Sequence, residues 1–151
     1  MDNNARESYL YGYPGDDYVD IVGIDNYGDV GRINGPDSPE KQREYFVGSL
    51  QLITSVAREK GKVAALTETG LEGVTNDSWF TRIILEPIRE NDENIDIAWL
   101  LVWRNANTTH HYAPYKGHSS EADFRNFYDA PSTFFNSDLK NPYRKNKALR
   151  K

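Results

Sequence analysis

Three apolar runs in this 151-residue chain each end in residues that can do chemistry. Residues 63–70 read Val-Ala-Ala-Leu-Thr-Glu-Thr-Gly, an uninterrupted apolar run that stops at the Glu68 carboxylate and a glycine. Residues 18–25, Tyr-Val-Asp-Ile-Val-Gly-Ile-Asp, stop at Asp25, Asn26 and Tyr27. Residues 95–103 stop at Trp103, Arg104 and Asn105. Runs of this length suit strands buried on both faces. A carboxylate at the carboxyl end of such a strand stands where parallel α/β barrels keep catalytic groups, because the strand end is rigid and the loop beyond it opens to solvent. The same Glu68 could equally be a solvated strand end. Asp25 could cap a turn and Tyr27 could be a loop tyrosine, so position alone leaves both readings open.

The elements between the runs explain how they are brought side by side. Ser38-Pro39 predicts a helix start and Gly61 its stop. Between them Phe46, Leu50, Ile53 and Ala57 mark one apolar face. A strand, this helix and the strand of Glu68 make a β-α-β unit with parallel neighbours. A second helix is expected over residues 79–91, with Phe80, Ile83, Ile84 and Ile88 inward and Pro87 kinking or shortening it. A loop rich in His and Tyr follows the third strand. Ser120-x-x-Asp123 then resembles a capping box ahead of a short helix through Tyr128. Residues 1–8 are expected to fray, residues 1–139 to form one domain, and the tail, basic from Lys140, to be disordered.

Composition narrows the function classes. The net charge is −5, but six Lys or Arg and no acid follow residue 139, so residues 1–139 carry 12 bases against 23 acids. An acidic body of −11 argues against nucleic acid as the main partner. Ten Tyr and three Trp suit stacking on sugar faces and also suit an ordinary core. There is no cysteine, hence neither disulfides nor thiol chemistry. No apolar stretch approaches the ~18 residues that would span a bilayer, and the first 20 residues lack the apolar centre of a signal peptide. No Gly-x-Gly-x-x-Gly or phosphate loop follows any strand, which disfavours a nucleotide-binding fold. The order β, α, β, α, β, α with polar strand ends points to part of a (β/α)8 barrel, a fold that takes ~250 residues when whole.

Four stretches in order carry a family resemblance: residues 13–27 (Tyr-Pro-Gly-Asp-Asp-Tyr-Val-Asp-Ile-Val-Gly-Ile-Asp-Asn-Tyr), 67–70 (Thr-Glu-Thr-Gly), 101–106 (Leu-Val-Trp-Arg-Asn-Ala) and 112–118 (Tyr-Ala-Pro-Tyr-Lys-Gly-His). Together they resemble the carboxyl-terminal part of glycoside hydrolase family 26, chiefly β-mannanases. The resemblance implies that the strands ending at Asp25, Glu68 and Trp103 are the sixth, seventh and eighth of a TIM barrel. It also implies that Glu68 is the nucleophile of a retaining mechanism and that Tyr27 holds this carboxylate ionised and oriented. Asp25 would support the same site, Trp103 would form the floor under the reacting sugar, and Arg104 would reach the next sugar outward. Trp79 either lines a leaving-side subsite or staples its helix to the barrel. Trp99 is read as core filling. His110, His111 and His118 sit in one loop without a patterned carboxylate, so solvated or sugar-contacting roles are favoured over metal. No cofactor or metal is implied.

Retaining glycosidases need a second carboxylate about 5–5.5 Å from the first. In the family it lies on the fourth strand, which this chain is not expected to contain. The expectation is therefore a fragment of an endo-β-1,4-mannanase, weak or inactive alone, with mannan-like polysaccharide as substrate and the missing barrel half or self-association as its protein partner. Two unpaired sheet edges would invite association. Rival readings are a non-catalytic carbohydrate-binding remnant and a related enzyme acting on β-glucan or β-1,3-xylan. Family relatives that degrade polysaccharide are generally exported.

Overall fold

Three parallel strands in the order β1-β2-β3 form the sheet in the computed structural model, which describes residues 3–139. They are β1 (Ile21–Asn26), β2 (Val63–Thr69) and β3 (Leu100–Val102). The basic tail from Lys140 lies outside the described residues. Helix α1 (Asn3–Leu10) precedes the sheet, α2 (Pro39–Lys60) joins β1 to β2, and α3 (Glu86–Arg89) and α4 (Glu121–Tyr128) flank β3 in sequence.

Helix α2 forms where the sequence predicts it. The Ser38 hydroxyl accepts from the Lys41 amide, Pro39 opens the helix, and Gly61 closes it at φ 63°. Phe46, Leu50, Ile53 and Ala57 are all buried in the one core, against Val22, Ala64 and Leu66 of the sheet. Phe46, Leu50 and Ile53, removed from water, each contribute about 1.5–3 kcal/mol.

β2 carries one residue more than both of its neighbours. Ile24 pairs with Leu66 and Asp25 with Glu68, while Leu66 pairs with Leu100 and Thr69 with Val102. Against β1 the residue left over is Thr67, and against β3 the two residues Thr67 and Glu68 stand opposite Leu101 alone, a bulge that breaks alternation. In a regular strand Glu68 would share the face of Leu66, which is in the core. Beside the bulge, Gly23 makes room for Thr67: a Cβ on Gly23 would lie 2.4 Å from Thr67 Cγ2 and 2.9 Å from its Oγ1. Gly23→Ala is thus expected to cost about 1–3 kcal/mol in urea denaturation, and Thr67→Ala in the same chain should recover most of it. Equal losses in both backgrounds would show that Thr67 is not the obstacle.

The sheet face opposite α2 is open. Ile21, Val63, Trp99 and Leu101 are 41–47% exposed there. Trp99 is therefore not core filling. It alternates with Leu100, which packs on the core, so it points to the opposite side of the sheet. The third strand is also shorter than the expected 95–103: only Leu100–Val102 is strand, although the Ala98 and Trp103 amides still donate to the Ala64 and Thr69 carbonyls of β2.

Three further expectations are corrected. Residues 1–8 were expected to fray, yet Asn3–Leu10 is helical: Tyr9 Oη donates to the Gly23 carbonyl at 2.8 Å, Arg6 pairs with Glu59 at 2.6 Å, and Tyr9 and Leu10 pack on the core. Residues 79–91 do not form one α-helix. Trp79–Leu85 is π-helical, with the Glu86 amide donating to the Thr81 carbonyl five residues back, and α3 adds one turn. Pro87 has no amide to donate and would crowd the carbonyl four residues earlier, and a widened turn relieves that. Ser120 and Asp123 form no capping box. The Asp123 carboxylate instead accepts from the Phe80 amide at 2.9 Å, the Thr81 amide at 3.2 Å and the Thr81 hydroxyl, so α4 caps the π-helical segment. Among the described residues no helix is long and apolar enough to cross a membrane.

Candidate active site

Glu68 and Tyr27 meet at the carboxyl ends of β2 and β1. Tyr27 Oη donates to Glu68 Oε2 at 3.1 Å. The turn that delivers Tyr27 is built by Asn26, which is buried. Its Oδ1 accepts from the Asp29 amide at 3.0 Å, and its Nδ2 donates to Asp29 Oδ2 at 3.0 Å. Thr69 Oγ1 donates to the Asn26 carbonyl at 2.8 Å, so the two strand ends are tied directly.

Burial, and next the Glu68 carboxylate, push the Tyr27 hydroxyl up to about 12, with smaller contributions from Tyr112 and Asp25. An unfolded tyrosine titrates near pH ~10. A raised folded value stabilises the protonated form. The margin of wild type over Tyr27→Phe should therefore be whole below about pH 10 and vanish as pH rises toward 12. Urea denaturation of both chains across that range checks it. A margin that persists at the alkaline end would refute a proton held between these two groups.

A cavity of about 430 Å³ opens beside the pair, lined by Tyr27, Arg32, Gly70, Leu71, Glu72, Trp103 and Tyr112. Trp103 is half-buried in its wall, and its amide donates to the Thr69 carbonyl at 2.9 Å. Asp25 and Arg104 are exposed, Asp25 opposite Glu68 in register and Arg104 one residue beyond Trp103. Five of the six expected residues thus gather at one end of the sheet. Trp79 does not join them. Its side chain is fully buried and its Nε1 donates to the Val30 carbonyl at 2.7 Å, which makes it a staple with no face for a sugar.

The sequence reading passed over several residues that shape this end. Gln42 is 4% exposed and uses both ends of its amide: Oε1 accepts from the Gly31 and Arg32 amides, and Nε2 donates to the Arg32 and Asp37 carbonyls. It fixes the loop that brings Arg32 to the cavity. The available signal was a polar residue four positions before Phe46 on the apolar stripe. His111 is buried too, and is not a solvated loop histidine. Its Nε2 lies 3.3 Å from His118 Nε2, and His118 Nδ1 is 2.9 Å from Ser120 Oγ. His110 Nδ1 is 2.6 Å from Glu72 Oε1. Among the described residues no three His, Cys, Asp or Glu side chains converge as a metal site would require.

The family profile described as "Glycosyl hydrolase family 26" matches residues 1–105. A mannan endo-1,4-beta-mannosidase of Bifidobacterium adolescentis is 28% identical over 144 residues, covering 85% of this chain and 14% of that protein. A GH26 beta-mannanase structure from Bacteroides ovatus superimposes with a TM-score of 0.79 at 34% identity, covering 94% of this chain and 38% of that one. A modular endo-beta-1,4-mannanase from Cellulomonas fimi gives 0.78 at 30% identity, covering 93% of this chain and 31% of that one. The chain therefore spans well under half the length of the relatives it matches, and its sheet and helices are part of a TIM barrel.

Proposed function

The chain belongs to glycosyl hydrolase family 26, and we propose that it supplies the nucleophile side of a retaining endo-β-1,4-mannanase cleft. The observation that carries this reading is the Tyr27–Glu68 hydrogen bond at the rim of a cavity walled by Trp103. Glu68 attacks the anomeric carbon, the bond to the leaving sugar breaks, and a glycosyl ester forms that water later hydrolyses. Tyr27 fixes which carboxylate lone pair faces the sugar. The Trp103 ring offers a π face to the axial C–H bonds of the pyranose. Asp25 and Arg104 flank this floor and contact neighbouring hydroxyls.

The leaving oxygen needs a proton from a second carboxylate about 5–5.5 Å away. The three strands here correspond to the sixth to eighth of the barrel, and the family resemblance puts that acid on the fourth. Hydrolysis of galactomannan by this chain alone is therefore expected to be weak or absent. A sugar with a good leaving group needs no such proton. Incubation with 2-deoxy-2-fluoro-β-mannosyl fluoride should leave a fluoromannosyl ester on the tryptic peptide containing Glu68. No adduct, or one on another residue, would sink the assignment. Faster capture of the corresponding glucosyl fluoride would move the substrate from mannan to glucan.

A further inference from the structure

Residue Asn105 follows Trp103 by two positions and is exposed, yet three hydrogen bonds converge on its side chain. Its Oδ1 accepts from the Tyr112 amide at 2.9 Å and the Ala113 amide at 3.0 Å, and its Nδ2 donates to the Ala113 carbonyl at 2.9 Å. Two residues of a long loop are thus clasped to the end of β3. That end is itself tied to β2 through the Trp103 amide and the Thr69 carbonyl.

The clasp sets the Tyr112 ring. On one side it lies on Gly70, so closely that a Cβ there would be 2.4 Å from Tyr112 Cδ1. On another it meets Tyr27 edge-on, with centroids 6.1 Å apart at 72°. His110 props it from a third direction at 5.4 Å, and is itself held by Glu72. Tyr27 in turn donates to Glu68.

We propose that Asn105 is a positioning residue, which holds Tyr112 against Tyr27 and thereby keeps the Tyr27 hydroxyl on Glu68. Its value for catalysis rests on Glu68 being the nucleophile, whereas the positioning itself does not. Without the clasp, Tyr112 leaves its seat, water reaches the phenol, and the Tyr27–Glu68 bond competes with bonds to solvent. Charge repulsion from the Tyr112 phenolate adds to the elevation of the Tyr27 titration, behind burial and Glu68, which places the two hydroxyls near each other.

The test uses the whole chain labelled with ¹³Cζ-tyrosine at neutral pH, with the Tyr27 signal assigned by its loss in Tyr27→Phe. The shift of that signal on Glu68→Gln reports the Tyr27–Glu68 bond. In Asn105→Ala and Tyr112→Ala backgrounds this shift is expected to fall below half of its wild-type size. In Tyr112→Phe, which keeps the ring, it should be retained. Thermal midpoints are recorded beside it. An Asn105→Ala chain that keeps the full shift overturns the proposal, whatever its midpoint, and so does one that simply unfolds. Fluoromannoside capture is scored separately. A chain that passes the shift test but is never labelled on Glu68 would refute the glycosidase reading and leave the positioning intact.

Discussion

Glu68→Gln is expected to slow covalent capture of the fluoromannosyl fluoride by roughly 10,000-fold or more, the scale on which removing a nucleophile acts. The carboxamide has the shape of the carboxylate, and its oxygen can still accept from Tyr27. Stability should therefore change by no more than about 0.5 kcal/mol. Only the electron pair that forms the ester is withdrawn. That combination separates chemistry from folding: urea denaturation should overlay wild type while mass spectrometry finds no adduct. Capture at the wild-type rate would mean that another side chain attacks, and Asp25, opposite Glu68 in register, would be examined next.

The largest effect on stability is expected from Trp79→Ala. The ring is fully buried, stands edge-on to Phe80 at 4.8 Å, and bonds the Val30 carbonyl. Truncating a buried aromatic costs about 3–5 kcal/mol. The Val30 carbonyl left without its donor adds about 1–3 kcal/mol. Whole domains hold only about 5–15 kcal/mol, and a sheet with one open face belongs at the lower end. Trp79→Ala should therefore show no cooperative urea transition, while Trp79→Phe keeps one with a lowered midpoint. A loss below about 1 kcal/mol in Trp79→Ala would contradict the staple.

Much of the architecture was legible because local signals agreed with one another. Helix α2 has its cap, its proline, its apolar stripe and its closing glycine in sequence order, and the structure adds nothing to them. Glu68 and Asp25 were put at strand ends by a simple rule, that polar residues ending buried runs face the loops of a parallel sheet, whereas Trp103 was singled out by the family resemblance. Most of the misses share a physical cause, since they depend on contacts that form only once the chain folds back on itself. Asp123 looked like a local cap, and its acceptors are filled by amides 42 and 43 residues away. Trp99 looked buried because its strand is apolar, but burial needs a second surface to press on. The bulge at Thr67 is invisible to periodicity, since nothing in Val-Ala-Ala-Leu-Thr-Glu-Thr says which residue the neighbours will skip. Asn105, Gln42 and His111 are polar residues whose roles exist only once a loop has folded back onto them.

The open face beneath Ile21, Val63, Trp99 and Leu101 offers a second copy an apolar surface to cover, and from it we expect stability to depend on protein concentration. An encounter shaped to the assembled face is available to the folded form and not to the unfolded one. By mass action the melting midpoint should then climb as the sample is concentrated and sink on dilution. Midpoints that coincide at concentrations about a hundredfold apart would show that the face stays uncovered.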